Sequence, residues 1–313
     1  MYIRQYFEEW HESRKPLIRA STFEAEGIYI QKHIIPYFDS VCPSIEEIKP
    51  INVKNYTRAK LNSGRKDGKD GGLSLVSVKK HLSIIKQALD EAVILEIIPT
   101  NPASVVKLPK AKKNPLDERT VFLSSQEAQK LIDGLKGHDV RTAVILALYY
   151  GLRRSEVIGL RWSAIDFERN TISINHTVVK NLTICASDNT KTDNSRRTYQ
   201  LLPDVKKILL DLKENSNPEH EYIFSREDGS PWRPDCLTRT FQRQLKRLNI
   251  PIMRFHDLRH STASILFDQG WNLEDVKNWL GHADIETTSN IYIHYKKSRQ
   301  ILVGGSISGL FSL

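Results

Sequence analysis

Apolar residues in the first third of the chain recur with the period of an α-helix. The clearest stripe lies within residues 74–98 and advances at steps of four and three residues: Val78, Leu82, Ile85, Leu89 and Ala92. Asn101 and Pro102 follow it, and we expect them to stop the helix, because proline lacks the backbone N–H that a helix requires and disfavours helical geometry in the preceding residue. The pattern predicts a helical N-terminal domain.

A different pattern begins after residue 120. Ser124 and Glu127 form a capping box that opens a helix, and its inner face is expected to carry Ala128, Leu131, Ile132 and Leu135. Between residues 162 and 202, short β-prone runs alternate with Asn, Asp and Ser clusters, which predicts an antiparallel sheet of about three strands. Helical spacing returns after Pro203. The predicted fold class is mostly α with a small antiparallel sheet: a helical domain followed by a larger α+β domain.

Four lysines in a segment that contains Pro109 and Pro115 lie between these two patterns: Lys107, Lys110, Lys112 and Lys113. The boundaries predicted from these changes are a helical domain over residues 1–106, a basic linker over 107–120, an α+β domain over 121–298 and a tail over 299–313. Two interpretations of the linker stay open: a solvated tether, or a segment that lies along a DNA backbone.

The composition favours a polyanionic partner. The 313 residues include 46 Lys and Arg against 37 Asp and Glu, a net charge of +9, which is typical of nucleic-acid-binding proteins but shared by basic proteins that bind none. The longest apolar run, residues 143–150, is far short of the roughly 20 residues that cross a bilayer, so we expect a cytoplasmic protein. Cys42, Cys185 and Cys236 form no CxxC pair, which argues against a disulfide framework or a thiolate zinc site.

The glycine-rich segment 62–72 superficially resembles a phosphate-binding loop. Its Gly64-x3-Gly68-Lys69-Asp70 run is one residue short of that motif, however, and places Asp where Mg²⁺ requires a hydroxyl. We therefore exclude ATP binding. The cations of this loop, Arg65, Lys66 and Lys69, are candidate DNA contacts instead.

Four separated segments of the second domain hold an unusual set of polar residues. In chain order they are Gly151-Leu-Arg153-Arg-Ser-Glu156, Lys191-Thr192, His256-Asp-Leu-Arg259-His260, and Leu280-Gly-His282 followed by Tyr292. Each alone has an ordinary structural explanation, such as a solvated arginine or a packed tyrosine. Their combination matches the needs of phosphodiester cleavage: a nucleophile, a proton donor for the leaving 5′-oxygen, and cationic donors for the charge on phosphorus.

The residue types also indicate how that chemistry is done. Metal nucleases hold Mg²⁺ with clustered carboxylates, whereas these segments offer Arg, His and Lys, so no metal or other cofactor is expected. The planar guanidinium groups of Arg153 and Arg259 match the nonbridging phosphate oxygens. Tyr292 would form a covalent phosphotyrosine. Such an ester keeps the energy of the broken bond, so no ATP site is needed.

These motifs, present in order, resemble those of the tyrosine recombinase (phage integrase) family. The resemblance implies that Arg153 and Arg259 clamp the scissile phosphate, Lys191 is the general acid, His256 is the general base, His282 donates to the phosphate and Tyr292 attacks. Glu156 is expected to orient the clamp. The N-terminal domain, which ends in Asn101-Pro102-Ala103, resembles the core-binding (SAM-like) DNA-binding domain of the family.

The resemblance further implies a site-specific recombinase that acts through a 3′-phosphotyrosyl intermediate and a Holliday junction. Its partners would be duplex DNA at recombination sites and three further copies of the chain in a homo-tetramer, with room for an excisionase and DNA-bending proteins. The ten-residue step from His282 to Tyr292 is similar to that of integrases from conjugative transposons and temperate phages of Gram-positive bacteria, so an integrating or excising mobile element is expected. Many of those carry an additional arm-site domain; without it, the chain is either a simple recombinase or a trimmed fragment.

Some of these residues also occur in other classes of protein. His256 and His260 have the i, i+4 spacing of a zinc hydrolase, but Asp257 is too short to serve as its Glu, and Arg259 would place a cation beside the metal. A type IB topoisomerase uses the same tyrosine, arginine and lysine chemistry. A DNA-binding regulator without catalysis is disfavoured by the complete set of motifs. Tyr295 is the rival nucleophile.

Overall fold

The computed structural model describes residues 1–66, 68–109, 120–180, 184–187, 196–281, 285–286, 288–293 and 295. Its contacts divide the chain into two compact units, Met1–Lys113 and Asn114–Leu313. Both are mainly helical and the second also contains a small antiparallel sheet, so the predicted fold class is confirmed. Within the described part of the chain, no helix is long and apolar enough to cross a membrane.

The first unit consists of helices around an apolar core. Five are α-helical: α1 (Ile3–Ser13), α2 (Ala20–Tyr29), α3 (Ile35–Val41), α4 (Pro50–Ser63) and α5 (Leu75–Ile94). A π-helical turn, Ile30–Ile34, joins α2 to α3, and a 3₁₀ turn, Ile45–Glu47, precedes α4. Helix α1 contributes Ile3, Tyr6, Phe7 and Trp10, which are all buried because their spacing places them on one face.

Helix α5 ends earlier than the sequence pattern indicated. We expected helix to residue 98 and a stop at Asn101–Pro102, but the last helical residue is Ile94. Glu96 takes a left-handed conformation with φ of 58°, and the N–H groups of Glu96 and Ile97 donate to the carbonyls of Val93 and Ala92 at 3.0 and 2.9 Å. This is a Schellman motif, which satisfies the terminal carbonyls without a glycine.

The second unit is built around helix α7. Its helices are α6 (Ser125–Gly134), α7 (Val140–Tyr150), α8 (Arg154–Ile158), α9 (Pro203–Glu214), α10 (Pro234–Arg247), α11 (Asp257–Asp268) and α12 (Leu273–Leu280). The capping box of α6 forms as predicted, and its four predicted inner-face residues are buried. Helix α7 contacts α6, α8, α9, α10 and α11, and its apolar composition on all sides fits this central position.

The small antiparallel sheet is confirmed, although the described residues of the second unit contain five strands in two sheets instead of the expected sheet of about three strands. After a 3₁₀ turn, Trp162–Ala164, β1 (Ile165–Asp166), β2 (Thr171–Ile174) and β5 (Arg197–Gln200) form one antiparallel sheet in the order β1–β2–β5, while β3 (Thr177–Lys180) and β4 (Ile184–Ser187) pair separately. Ile172 pairs with Tyr199 and Ile174 with Arg197. Because side chains alternate along a strand, Arg197 and Tyr199 share the inward face with the two buried isoleucines.

Candidate active site

Gly151 allows the chain to leave helix α7 and enter the first site segment. It caps α7 in the left-handed region, with φ of 61° and ψ of 32°, a conformation that costs little only for glycine. A Cβ at this position would lie 2.2 Å from Leu280 Cδ2, so the close approach of α12 also requires glycine. Arg153 then takes an extended conformation just before α8, with its side chain one third exposed.

Glu156 is buried, with 1% of its surface exposed, and binds the neighbouring Arg153. Its Oε1 accepts a hydrogen bond of 2.7 Å from Arg153 Nη1, and its Oε2 accepts one of 2.8 Å from the backbone N–H of Arg153. The carboxylate therefore fixes both the backbone and the guanidinium of the first predicted clamp residue.

Arg197, which was not selected from the sequence, is the second partner of this carboxylate. It donates from Nη1 to Oε1 of Glu156 at 3.1 Å and from Nη2 to Oε2 at 2.8 Å. Burial acts to raise the pKa of Glu156, but the hydrogen bonds and charge of Arg197, with the charges of Arg153 and Arg259, lower it to about 2. Three guanidinium groups around one carboxylate leave the site strongly positive.

Arg259, in the first turn of α11, is completely buried. Its Nη1 and Nη2 each donate a 2.6 Å hydrogen bond, to the carbonyls of Gly151 and Leu280. These carbonyls lie at the C-terminal ends of α7 and α12, where the helix dipole is negative, and so they compensate a buried cation. Burial and the charge of Arg153 lower the pKa of Arg259 to about 9, and it remains protonated at neutral pH.

His256 lies at the start of α11 and keeps an exposed face. Its ring is 4.9 Å from that of His260 in an edge-to-face arrangement. Desolvation of the ring lowers the pKa of His256 to about 3, with smaller contributions from the charges of His260, Arg259, Arg153 and Arg254. In this DNA-free protein the imidazole is therefore neutral at physiological pH and has the lone pair that a base requires.

Tyr292 belongs to the helical residues 288–293, which pack on the C-terminal half of α11. Its ring contacts Phe267 edge-on at 4.9 Å, and the ring of Tyr295 lies 6.3 Å away. Tyr295, the rival nucleophile, donates its hydroxyl hydrogen to Asp268 Oδ1 at 2.9 Å. The Tyr295 hydroxyl is thus bound to a carboxylate.

The structure thus brings four of the predicted site residues together: Arg153, Glu156, His256 and Arg259. Tyr292 packs against Phe267 of α11, the helix that carries Arg259 and begins directly after His256. Lys191 and His282 lie outside the described residues, as do Lys110, Lys112 and Lys113. The remaining predicted DNA contacts, Arg65, Lys66, Lys69 and Lys107, are exposed.

Arg197 and Gly151 contribute to the site although the sequence motifs predict no role for either residue. A signal for Arg197 existed: in the alternating strand Arg197–Gln200 it shares the inward face with Tyr199, and an inward-facing arginine implies a buried carboxylate. The alternation of the strand does not identify which carboxylate pairs with Arg197. Among the described residues, no three His, Cys, Asp or Glu side chains converge as metal ligands would.

Comparison with known families gives two matches that together span most of the chain. The Phage integrase family profile matches residues 81–299, and the profile of the phage integrase N-terminal SAM-like domain matches residues 3–61. A "Tyrosine recombinase XerC-like" protein of Caldanaerobacter subterraneus subsp. tengcongensis is 27% identical, over 97% of this chain and 81% of its own. The "ICEBs1 integrase" of Bacillus subtilis is also 27% identical, over 89% of this chain and 75% of its own.

Two solved structures show the likeness of fold. The Tn1549 transposon integrase in complex with a circular intermediate DNA superimposes with a TM-score of 0.72 at 18% identity, covering 97% of this chain and 99% of that one. A lambda integrase dimer bound to a COC′ core site gives a TM-score of 0.67 at 19% identity, covering 93% of this chain and 77% of that one.

Proposed function

The chain belongs to the phage integrase family and is a site-specific tyrosine recombinase of the kind that mobile elements encode, and we propose how its residues carry out DNA strand transfer. The observation that supports the proposal best is the pair of fixed guanidinium groups, Arg153 on Glu156 and Arg259 on two helix ends. Arg153, one third exposed, is a cationic donor held in place before any phosphate binds, and Arg259 adds a completely buried positive charge beside it. Preorganised charges of this kind stabilise negative charge that develops in a transition state.

The first chemical step forms a bond between Tyr292 and the phosphate. The Tyr292 oxygen attacks phosphorus while the bond to the 5′-oxygen breaks, which leaves a 3′-phosphotyrosyl ester. Lys191 gives the leaving 5′-oxygen its proton, and neutral His256 accepts the tyrosine proton. The cations that lower the pKa of His256 are offset when the negatively charged phosphate binds, so DNA binding itself strengthens the base. His282 donates a hydrogen bond to the phosphate.

The second step reverses the first with a different strand. A 5′-hydroxyl from the partner duplex attacks the phosphotyrosyl ester, breaks the bond to Tyr292 and restores a phosphodiester. Exchanging one pair of strands in this way yields a Holliday junction, and exchanging the second pair completes recombination. Two duplexes contain four cleavage sites, and four copies of the chain would occupy them.

Duplex DNA is the partner that phosphodiester chemistry requires, and the net positive charge of the chain is consistent with it. The exposed cations Arg65, Lys66, Lys69 and Lys107 are proposed to contact phosphates, together with Lys110, Lys112 and Lys113. Phosphate contacts of this kind fix the position of a protein on DNA without reading its sequence. The solved structures of similar fold that contain DNA, such as that of the Tn1549 transposon integrase, support duplex DNA as the partner.

Replacement of the nucleophile tests the proposal. Tyr292→Phe removes the attacking oxygen and should bind DNA normally, yet form no covalent protein–DNA adduct on nicked suicide duplexes, selected from an oligonucleotide library and run on denaturing gels. Tyr295→Phe is the matched control and should keep the adduct, because its hydroxyl binds Asp268. An adduct that persists in the first variant and disappears in the second would move the nucleophile to Tyr295.

A further inference from the structure

Strand β5 makes hydrogen bonds that link the separate site segments. Arg197 bridges both oxygens of Glu156, which also binds Arg153, and its Nε donates to the hydroxyl of Tyr199. Tyr199 in turn donates to the backbone carbonyl of Trp279, one residue before the Leu280 carbonyl that holds Arg259. This chain of contacts therefore begins at one proposed clamp residue and ends beside the other.

The surroundings of Arg197 are closely packed and nearly shielded from solvent. Its side chain is 9% exposed, and the rings of Tyr150, Tyr199 and Trp279 pack on one another with centroid distances of 4.9 to 6.3 Å. The indole N–H of Trp279 also donates to the carbonyl of Tyr149 at 3.2 Å. β5 is thus fastened to the ends of α7 and α12, from which the proposed clamp residues are held.

We propose that Arg197 is a positioning residue for strand transfer: by neutralising Glu156, it leaves the Arg153 guanidinium directed at the scissile phosphate instead of at the carboxylate. The inference rests on the proposed role of Arg153. With both arginines present, Glu156 takes one terminal nitrogen of Arg153 and two from Arg197. Without Arg197, the buried carboxylate would have Arg153 as its main counter-ion, and a bidentate pair between them is the arrangement that guanidinium and carboxylate prefer.

The consequence is a defect in rate at full DNA occupancy. Misplacing a catalytic group by about 1 Å costs about 100-fold in rate, so Arg197→Gln should lower the cleavage rate at saturating DNA by about that factor and leave DNA affinity unchanged. Arg196→Gln is the matched control. The neighbouring Arg196 is exposed, so this variant should cleave at the wild-type rate. An Arg197→Gln protein that cleaves as fast as wild type would overturn the proposal.

A double variant separates the positioning role from a role in folding. If Arg197 acts by neutralising Glu156, then it matters little once that charge is gone, and Glu156→Gln with Arg197→Gln should cleave at a rate close to that of Glu156→Gln alone. In the wild-type background the same Arg197 substitution should lower the cleavage rate by about 100-fold, because residues in one ionic network do not act additively. A 100-fold loss in both backgrounds would show that Arg197 acts independently of Glu156.

A measurement without DNA tests the electrostatic part separately. Carbon NMR of labelled glutamate should show a higher pKa for Glu156 in Arg197→Lys than in wild type, because the fork that donates to both oxygens is lost while Arg153, Arg259 and Tyr199 still face the carboxyl. An unchanged titration would overturn the proposal. If this shift appears but wild-type protein gives no Tyr292-dependent adduct, the proposed roles of Tyr292 and Arg153 fail while the Arg197–Glu156 pairing stands.

Discussion

At the scale of single residues, the charge of Arg259 is held inside the protein by carbonyls that only a helix end can offer. Residues within a helix use their carbonyls in the helix itself, whereas the last four are left without intrahelical partners. Gly151 and Leu280 provide two of these, and the left-handed glycines Gly151 and Gly281 turn the chain away at both helix ends. Glycine at position 151 is therefore part of the site geometry.

Gly151→Ala tests this at one atom. The new methyl group would be strained in the left-handed region and would also meet Leu280 at 2.2 Å, so it should move the carbonyl that binds Arg259. Gly137→Ala is the matched control, since Gly137 has φ of 76° with nothing within 4 Å of its Cβ position. In urea unfolding, the control should lose about 1 kcal/mol and keep its adduct, whereas Gly151→Ala should lose about 1–3 kcal/mol more and most of its adduct. Equal losses would mean that only backbone strain matters.

The buried imidazole of His260 makes stability depend on pH. Burial, followed by Arg259 and Arg254 and partly opposed by Asp257, lowers its pKa to about 4, while an unfolded histidine titrates near 6.5. Between pH 6.5 and pH 4 this histidine is protonated in the unfolded chain but neutral in the folded protein. The free energy of unfolding therefore falls as pH decreases from about 6.5 to 4. His260→Asn should flatten that part of the pH profile in urea unfolding. Parallel profiles for variant and wild type would contradict the assignment.

At the scale of elements, the basic segment after α5 is open to a direct electrostatic test. Lys107 is exposed, and Lys110, Lys112 and Lys113 lie outside the described residues. If all four meet phosphates, changing them to Gln should reduce the slope of log affinity against log salt by roughly three to four units, at about 0.9 for each phosphate that is no longer neutralised. The effect should be equal on specific and random DNA. The same four positions changed to Arg keep the charge and should keep the slope.

An unchanged slope in the Gln variant would identify this segment as a solvated tether. Arg65, Lys66 and Lys69 lie in a different segment, before α5, so their contribution to the salt dependence can be measured separately by substituting them alone.

At the scale of the whole molecule, the tail over 299–313 is proposed to couple neighbouring copies of the chain. It lies outside the described residues, and its sequence is rich in apolar residues interrupted by Gly304–Gly305: Ile301, Leu302, Val303, Ile307, Leu310 and Phe311. Leaving that much apolar area in water is unfavourable at about 25 cal/mol per Å². The second unit also exposes the apolar side chains of Trp271, Ile285 and Ile293, each more than 40% accessible. The tail is proposed to dock on a neighbouring copy.

Deletion of residues 300–313 distinguishes docking on a neighbour from packing on the same chain. Docking in trans predicts unchanged circular dichroism and single-site DNA binding, but fewer synaptic complexes on native gels, because assembly and nucleophile position are then coupled. Packing in cis predicts a monomer that melts markedly earlier and still forms synapses normally. That second result would exclude the trans arrangement.

The sequence by itself determined the features that depend on short separations along the chain. The capping box from Ser124 to Glu127, the inward face of α6 and the alternation of the strands follow from the 3.6- and 2-residue periods, and the motifs predicted the family and its reaction. Glu156 was predicted to orient Arg153 because three residues on one turn suffice for contact.

Only the tertiary structure decided the contacts between distant segments. Arg197 meets Glu156 across 41 residues, and that meeting depends on the register of β5 on β2 and on how the sheet lies against α8. The Arg259 cation is held by carbonyls 108 and 21 residues away, and backbone carbonyls carry no signature in the sequence. The early end of α5, at Ile94, was also not predictable from the sequence. Glu96 takes the left-handed conformation just after the helix, and a glutamate gives no indication of that conformation. Local periodicity thus predicts which residues face inward, whereas packing selects their partners.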